Sequence, residues 1–321
     1  MISNDMNEVA ASAPKEDKFA KQLKAFVAER KKPALLLRMG TVTPASVILT
    51  QNKLRGKNFD ELDVILETPG GHIESAYKIV KLLRKHTKRV NIVVPTYAKS
   101  AGTLISLAGE TLVMATTSEL GPLDVQIPEQ QEGDVDTFKS ALNGYKSLEQ
   151  IQNHAVENLD IATKLILHRT RNRMRLQDVI KLAIEFSGNT SGCLYNQIHP
   201  KSITEYARAL DIGEQYGVRI LLRYMGWSAE KAKPVIHRMV YDYPSHEFII
   251  DTEELAELGF AVENAKGDLE VIMEALGLSL QIRNHTDEQE IKLLEFTPTP
   301  SAQGKVKAKK NNENQAKKTK K

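Results

Sequence analysis

Three short stretches of this 321-residue chain carry the residue types that acyl chemistry needs, each in a setting that could use them. The first is Glu67-Thr68-Pro69-Gly70-Gly71-His72-Ile73-Glu74, between the apolar run LDVILE (62–67) and a helical pattern. Proline ends the run, and paired glycines permit a tight turn with unusual φ values. With no side chains in the way, the N–H groups of Gly70 and Gly71 can approach a carbonyl closely, as an oxyanion hole requires. The same turn would also serve as a plain strand-to-helix connection. The second stretch is Tyr97-Ala98-Lys99-Ser100-Ala101-Gly102-Thr103, after the run VNIVV (90–94). It sets Ser100 at a helix start, where free N–H groups and the helix dipole favour developing negative charge. Serine is equally a good N-cap there. Ala101 and Gly102 let another backbone come close to the hydroxyl. The third stretch, Ser118-Glu119-Leu120-Gly121-Pro122-Leu123-Asp124, follows TLVMA (111–115) and offers a carboxylate at Asp124, or simply a surface turn.

These stretches need elements that bring them together. ALLLRM (34–39), LDVILE, VNIVV and TLVMA are compact apolar runs that suit strands covered on both faces. Between them, residues 74–86 carry a helical apolar stripe of Ala76, Ile79, Val80, Leu82 and Leu83, with Lys78, Lys81, Arg84 and Lys85 opposite. Residues 100–107 form a short pattern of small and apolar residues that predicts a buried helix. The rhythm implies right-handed crossovers and a largely parallel sheet. The glycine turn and Ser100 lie about one crossover unit apart, so a parallel sheet brings their loops to one edge. From Asp136 to Phe186 the pattern turns helical without proline, which predicts an excursion of two or more helices. Residues 206–264 again read as helices with turns.

DVILETPGGHIESAYKIVKLLR, AKSAGT and SELGPLDVQ together resemble the Clp-fold serine peptidases, which include caseinolytic protease and signal peptide peptidase A. Within that group they are most similar to the serine dehydrogenase proteinase family. The resemblance is strong over residues 34–128 and weaker over 240–264. It implies a Clp/crotonase-type spiral α/β fold, largely parallel sheets covered by helices, and a helical excursion. It also implies a peptidase with Ser100 as nucleophile and the amides of Gly71 (or Gly70) and Ala101 as oxyanion hole. The family's order of Ser, Asp and His along the chain makes Asp124 the acid. For the base, YPSHEFIID followed by EELAELG resembles the family's closing His motif and favours His246. His199, in HPKSITEYA, is the alternative. A Ser/Lys dyad like that of signal peptide peptidase A would instead use Lys139 or Lys146. Two rivals share the fold: a crotonase-like acyl-CoA enzyme without a nucleophilic serine, and an inactive scaffold that has lost its base and acts through its basic tail. His72 abuts the glycine turn and is a candidate for lining the pocket.

In the expected reaction, a neutral imidazole removes the Ser100 proton while a carboxylate fixes the tautomer. Attack on a peptide carbonyl then gives an acyl-enzyme that water hydrolyses. The histidines lack metal-site spacing, there is no CxxC, and no GxxxxGK[ST] loop is present, so neither a metal nor a cofactor is expected. A single cysteine, Cys193, excludes an intrachain disulfide, fits a reducing compartment, and reads as a small packed residue. No apolar run reaches the ~18 residues of a membrane span. MISNDMNEVAASAPKEDK lacks a signal-peptide core. These features predict a cytoplasmic protein with no membrane contact.

The net charge is +3, yet eight lysines against Glu313 give residues 297–321 a charge of +7, which leaves −4 for residues 1–296. A tail of that kind predicts weak, salt-sensitive contact with polyanions. The expected organisation is a disordered 1–18, a peptidase domain over 19–296 with its excursion at 136–186, and a disordered 297–321. Expected partners are a protein or peptide substrate and copies of the same chain, as a trimer or a multiple of it.

Overall fold

The computed structural model describes residues 18–124, 126–129, 137–283 and 289–296. The expectations for residues 1–17 and for the Lys-rich 297–321 lie outside the described residues; Lys18 already opens a helix. The elements run α1 (Lys18–Arg30), β1 (Ala34–Arg38), α2 (Pro44–Leu54), β2 (Phe59–Glu67), α3 (Ile73–His86), β3 (Thr87–Val94), β4 (Tyr97–Ala98), α4 (Ala101–Ser106), β5 (Thr111–Met114) and β6 (Glu119–Leu120). They continue β7 (Gln126–Glu129), β8 (Thr137–Ser140), α5 (Ala141–Arg169), α6 (Leu176–Tyr195), α7 (Pro200–Tyr224), α8 (Ala229–His237) and a π-helical turn at Arg238–Asp242. Last come α9 (Thr252–Glu257), β9 (Val262–Asn264), α10 (Asp268–Arg283) and β10 (Glu290–Leu294).

The main sheet has the order β10-β1-β2-β3-β5-β9, parallel throughout except for β10. Each new strand is laid beside the last with a helix between, so the loops after β1, β2, β3 and β5 fall in sequence order along one edge. Period-2 alternation divides the buried side chains between two layers. Leu35, Leu37, Leu62, Val64 and Leu66 share a cluster with α3 and α4, over which α7 and then α8 pack, while Ala34, Leu36, Ile65 and Val93 face α1 and α10. Each fully buried Leu, Ile or Val contributes roughly 1.5–3 kcal/mol, so the apolar runs hold the sheet between its helices. On α3 the predicted stripe is buried, but Leu82 is only half covered and Arg84 reaches across to Glu110 and the Ala108 carbonyl. Asp63 breaks the apolar run of β2. It is fully buried on the α1 side, where Arg30 Nε lies 2.7 Å away and Asn91 Nδ2 donates at 2.7 Å.

Two expectations are corrected. The excursion does not begin as helix, because β8 pairs antiparallel with β7, with Gln126 opposite Ser140. Thr137-Phe138-Lys139-Ser140 has the β-branched and aromatic character of a strand, and the helix waits for its cap at Ser140. It then runs beyond Phe186, since α6 extends to Tyr195. Cys193, expected to be packed, is exposed on α6, where its thiol bonds the Thr190 carbonyl at 3.2 Å.

Candidate active site

A second small layer forms where the loops leave the main sheet. Thr68 pairs with Ala98, β4 pairs in parallel with β6, and Leu120 pairs antiparallel with Ile250. Backbone bonds stitch it further: Lys99 N–H to Thr68 O at 3.0 Å, Ser100 N–H to Pro122 O at 3.2 Å, and Gly121 N–H to Ala98 O at 3.1 Å. Four stretches from 68 to 250 thus become neighbours, and every residue of the expected triad sits on or beside one of them.

Ser100 occupies the N-cap position of α4 but does not cap it. Its side chain makes no capping hydrogen bond, and its backbone sits at φ 51°, ψ −113°. An L-residue held there costs about 1–3 kcal/mol and persists only where its surroundings enforce it. Those surroundings include Gly70. A Cβ built on Gly70 would lie 2.9 Å from Ser100 Cβ and 3.2 Å from its Oγ. Gly71 is as confined, because its Cβ would lie 2.6 Å from both N and O of Val42. The two glycines have φ of 126° and 136°, so both the space and the backbone demand glycine. The Gly70 N–H donates to Thr68 Oγ1 at 3.2 Å. The amides of Gly71 and Ala101 have no hydrogen-bond acceptor among the described residues.

Asp124 is fully buried. Its Oδ1 accepts from Leu142 N–H at 3.0 Å, and its Oδ2 accepts from the Ser140 hydroxyl. Ser140 in turn caps α5 by accepting from Asn143 N–H at 3.0 Å. The carboxylate therefore sits at the N-terminus of a 29-residue helix, where the dipole favours its charge. His246 Nδ1 lies 3.5 Å from Asp124 Oδ2. The nitrogen is buried and the approach falls short of a hydrogen bond, with no other partner for that atom. Leu123 N–H to Met239 O at 2.8 Å fixes the Asp124 loop to the π-helical turn just ahead of the His246 segment.

Sequence reasoning missed Lys99. Only 9% exposed, it places Nζ 2.7 Å from Glu247 Oε2 and 3.0 Å from Glu119 Oε1. Burial works against its charge, but the hydrogen bonds to Glu247 and Glu119 outweigh that and hold its pKa above the ordinary value. Its stem fills the space a side chain on Gly121 would need, 2.8 Å from that Cβ position. The signal was present in the lysine beside the candidate nucleophile and the glutamate beside the candidate base.

Of the other candidates, His199 and Lys146 are not drawn in. His199 is the exposed N-cap of α7, and no interaction among the described residues ties it to Ser100 or Asp124. Lys146 lines a separate cavity of about 750 Å³ with Tyr145, Glu149, Glu214, His237 and Tyr241. Lys139 lies on β8, and its side chain is outside the described ones. His72 is exposed at the N-cap of α3. Among the described residues no His, Cys, Asp and Glu cluster is arranged to hold a metal, and no helix is long and apolar enough to cross a membrane.

Fold and loop layer together define an α/β protein whose parallel sheet presents a strained serine and a buried Asp–His pair along one edge. Residues 40–181 match the family of ClpP-like SDH-type serine proteinases, so the likeness in ETPGG, AKSAGT and LGPLD is a family match over that stretch. The chain is 26% identical over 243 residues to the uncharacterized protein MJ0137 of Methanocaldococcus jannaschii, covering 75% of this chain and 65% of that one. It is 30% identical over 106 residues to MJ1495 of the same organism, covering 33% and 34% respectively. The matched stretch thus spans less than two thirds of either relative. Among solved structures, a variant of the 1510-N membrane-bound stomatin-specific protease has 16% identity and a TM-score of 0.40, covering 74% of this chain and 80% of that one. ClpP1 from Listeria monocytogenes has 12% identity and a TM-score of 0.36, covering 77% and 95%.

Proposed function

We propose that the protein is a serine peptidase that cleaves peptide bonds through an acyl-enzyme on Ser100. The observation that carries this reading is the approach of His246 to the buried Asp124 at 3.5 Å, on a loop layer shared with the strained Ser100. In the proposed cycle His246 takes the Ser100 proton through Nε2, because Nδ1 faces Asp124. Asp124 holds the tautomer and stabilises the imidazolium, and a shortening of the 3.5 Å separation accompanies that charge. The amides of Gly71 and Ala101 receive the tetrahedral oxyanion. Gly70 supports them by letting the turn pass against Ser100, its own amide being turned to Thr68. His246 protonates the leaving amine, and water then releases the acyl group. A Ser/Lys dyad through Lys146 is disfavoured by the separate cavity that this lysine lines.

A fluorophosphonate probe tests this directly. Wild type is expected to be labelled at Ser100, with labelling and peptide hydrolysis lost in Ser100→Ala. His246→Ala is expected to approach the same loss, because triad members act as a unit. Labelling of Ser100→Ala at the wild-type rate would sink the reading; full activity in His246→Ala with a dead Lys146→Ala would replace the triad with the dyad. We also propose a cytoplasmic home, self-association through the helical arm, and a dispensable Lys-rich tail that touches polyanions weakly.

A further inference from the structure

Lys99 is a costly residue to bury, and no step of the proposed chemistry uses it. Its ammonium has three donors, and three oxygens surround it: Glu247 Oε2 at 2.7 Å, Glu119 Oε1 at 3.0 Å and the Glu247 carbonyl at 3.4 Å. Two of these acceptors belong to the residue after His246, while Lys99 itself is the residue before Ser100. The third belongs to β6, which leads into Asp124. One side chain therefore joins the three loops that bear the proposed triad. The segment from 244 to 249 contains no helix or strand; its end is held by the Leu120–Ile250 pair, with bonds of 3.0 and 2.9 Å. Lys99 grips its middle.

We propose that Lys99 is a positioning residue that latches the His246 loop to the loops of Ser100 and Asp124 and neutralises Glu247, the carboxylate next to His246. This inference rests on the serine-peptidase reading of the site. An ordinary surface ion pair would not serve, since exposed pairs contribute little. Here Glu247 is open to solvent, but the lysine side chain is 11% exposed and Glu119 21%, so the cation is fixed from within. His246 has Asp124 facing Nδ1, Glu247 as its chain neighbour, and Lys99 and Glu119 beyond it. Farther along the same segment, Glu254 is occupied by Arg238 and Tyr243, each at 2.7 Å. Without Lys99, the carboxylate of Glu247 beside His246 loses its counter-charge, and an uncompensated carboxylate favours a cation next to it. A base that is protonated at higher pH is lost over a wider acid range.

The test follows the rate of Ser100 acylation by a fluorophosphonate against pH in Lys99→Met, Glu247→Gln and the double variant, with folding checked by circular dichroism. Lys99→Met is expected to slow acylation about tenfold to a hundredfold, as a misplaced catalytic group does. Its acidic limb should move to higher pH, and peptide KM should stay near the wild-type value. Adding Glu247→Gln should return the limb toward wild type without restoring the rate, because it removes the uncompensated charge but not the lost latch. A merely structural role moves stability and leaves the limb where it is. Wild-type rate and limb in a folded Lys99→Met protein would overturn the inference. If Lys99→Met does not fold, Glu247→Gln alone decides: slower acylation supports the latch, and an unchanged rate overturns it. Labelling of Ser100→Ala at the wild-type rate would reject the peptidase reading itself, which keeps the two failures apart.

Discussion

Ser100 and Gly70 are coupled through space in a way that makes glycine at 70 a requirement of the serine. A methyl group at Gly70 would stand 2.9 Å from Ser100 Cβ, closer than real Cβ contacts, and 3.1 Å from the Lys99 carbonyl, tighter than most of them. Something must shift, and what shifts is the nucleophile or its turn. Gly70→Ala is therefore expected to fold yet lose about 10²-fold or more of its probe labelling, comparable to removing an oxyanion donor. Wild-type labelling in that variant would show that Ser100 does not need the close approach. The Lys99–Glu247 pair has its own pH signature at this scale. Glu247 is held below its ordinary 4.5, first by the Lys99 hydrogen bond, so its stabilisation is complete above 4.5 and lost as pH falls through the lowered value. Lys99 is held above 10.5, so its share is complete below 10.5 and lost as pH rises through the raised value. The latch thus spans the neutral range. Amide exchange in residues 245–249 should accelerate below about pH 4.5 as Glu247 protonates; exchange rates that stay flat down to pH 3, once corrected for intrinsic chemistry, would contradict the latch.

At the scale of elements, the four apolar runs and the helix between the first two loops were legible because each is a local signal, a compact apolar run or a stripe of period 3.6, and three of the runs stop at or near a glycine or proline. So was the convergence of the glycine turn and Ser100, since parallel strands laid side by side leave their loops on one edge. The π-helical turn, the β7–β8 hairpin and the anchoring of Asp124 were not legible. Each depends on a partner outside any local window: the Met239 carbonyl for Leu123, Gln126 for Ser140, and the Leu142 amide of α5 for Asp124. Asp63 is the clearest case of a local pattern with a hidden meaning. Alternation places it on the α1 face, but only the fold supplies Arg30 and Asn91 to hold its charge. Asp63→Ala would leave a guanidinium that is itself 9% exposed with only the more open Glu263, at 2.6 Å, as counter-charge; breaking a buried pair from one side costs about 3–5 kcal/mol, the upper bound here because Glu263 remains. A lowering of the denaturation midpoint of that order, at unchanged labelling of surviving native protein, is expected. A stability loss below ~1 kcal/mol would mean that water reaches Arg30 and that the pair acts as an exposed one.

The whole molecule divides into a closed body and an open arm. The sheet is covered on both faces, with α1 and α10 on one side and α3 and α4, backed by α7, on the other. Beyond it, α5 extends for 29 residues, roughly 43 Å at 1.5 Å per residue, and α6 folds back along it. Between them the two helices bury mostly small groups: Ala162 on α5, and Val179, Ala183, Ser187 and Ser191 on α6. Larger apolar side chains are left outside, with Val156 65% exposed, Ile161 61%, Ile184 56% and Phe186 51%. Single exposed hydrophobics need no explanation, but a run of them along one protruding hairpin marks a surface that expects a neighbour. A two-helix ribbon has apolar flanks on both sides, which a second ribbon of the same kind would close into a bundle. The described body also exposes apolar side chains, Ile48 and Leu49 on α2 and Val271 and Leu278 on α10, but in shorter groups than the arm. Light scattering at micromolar concentration should therefore give an assembly of the chain, in threes or a multiple if the subunits form a ring. Replacing Ile161 and Ile184 with glutamate should reduce it toward monomer while leaving the fold intact, and deleting 297–321 should change neither assembly nor peptide hydrolysis. A monomeric wild-type protein would refute the arm's role, and an assembly unmoved by the paired glutamates would transfer that role to another surface.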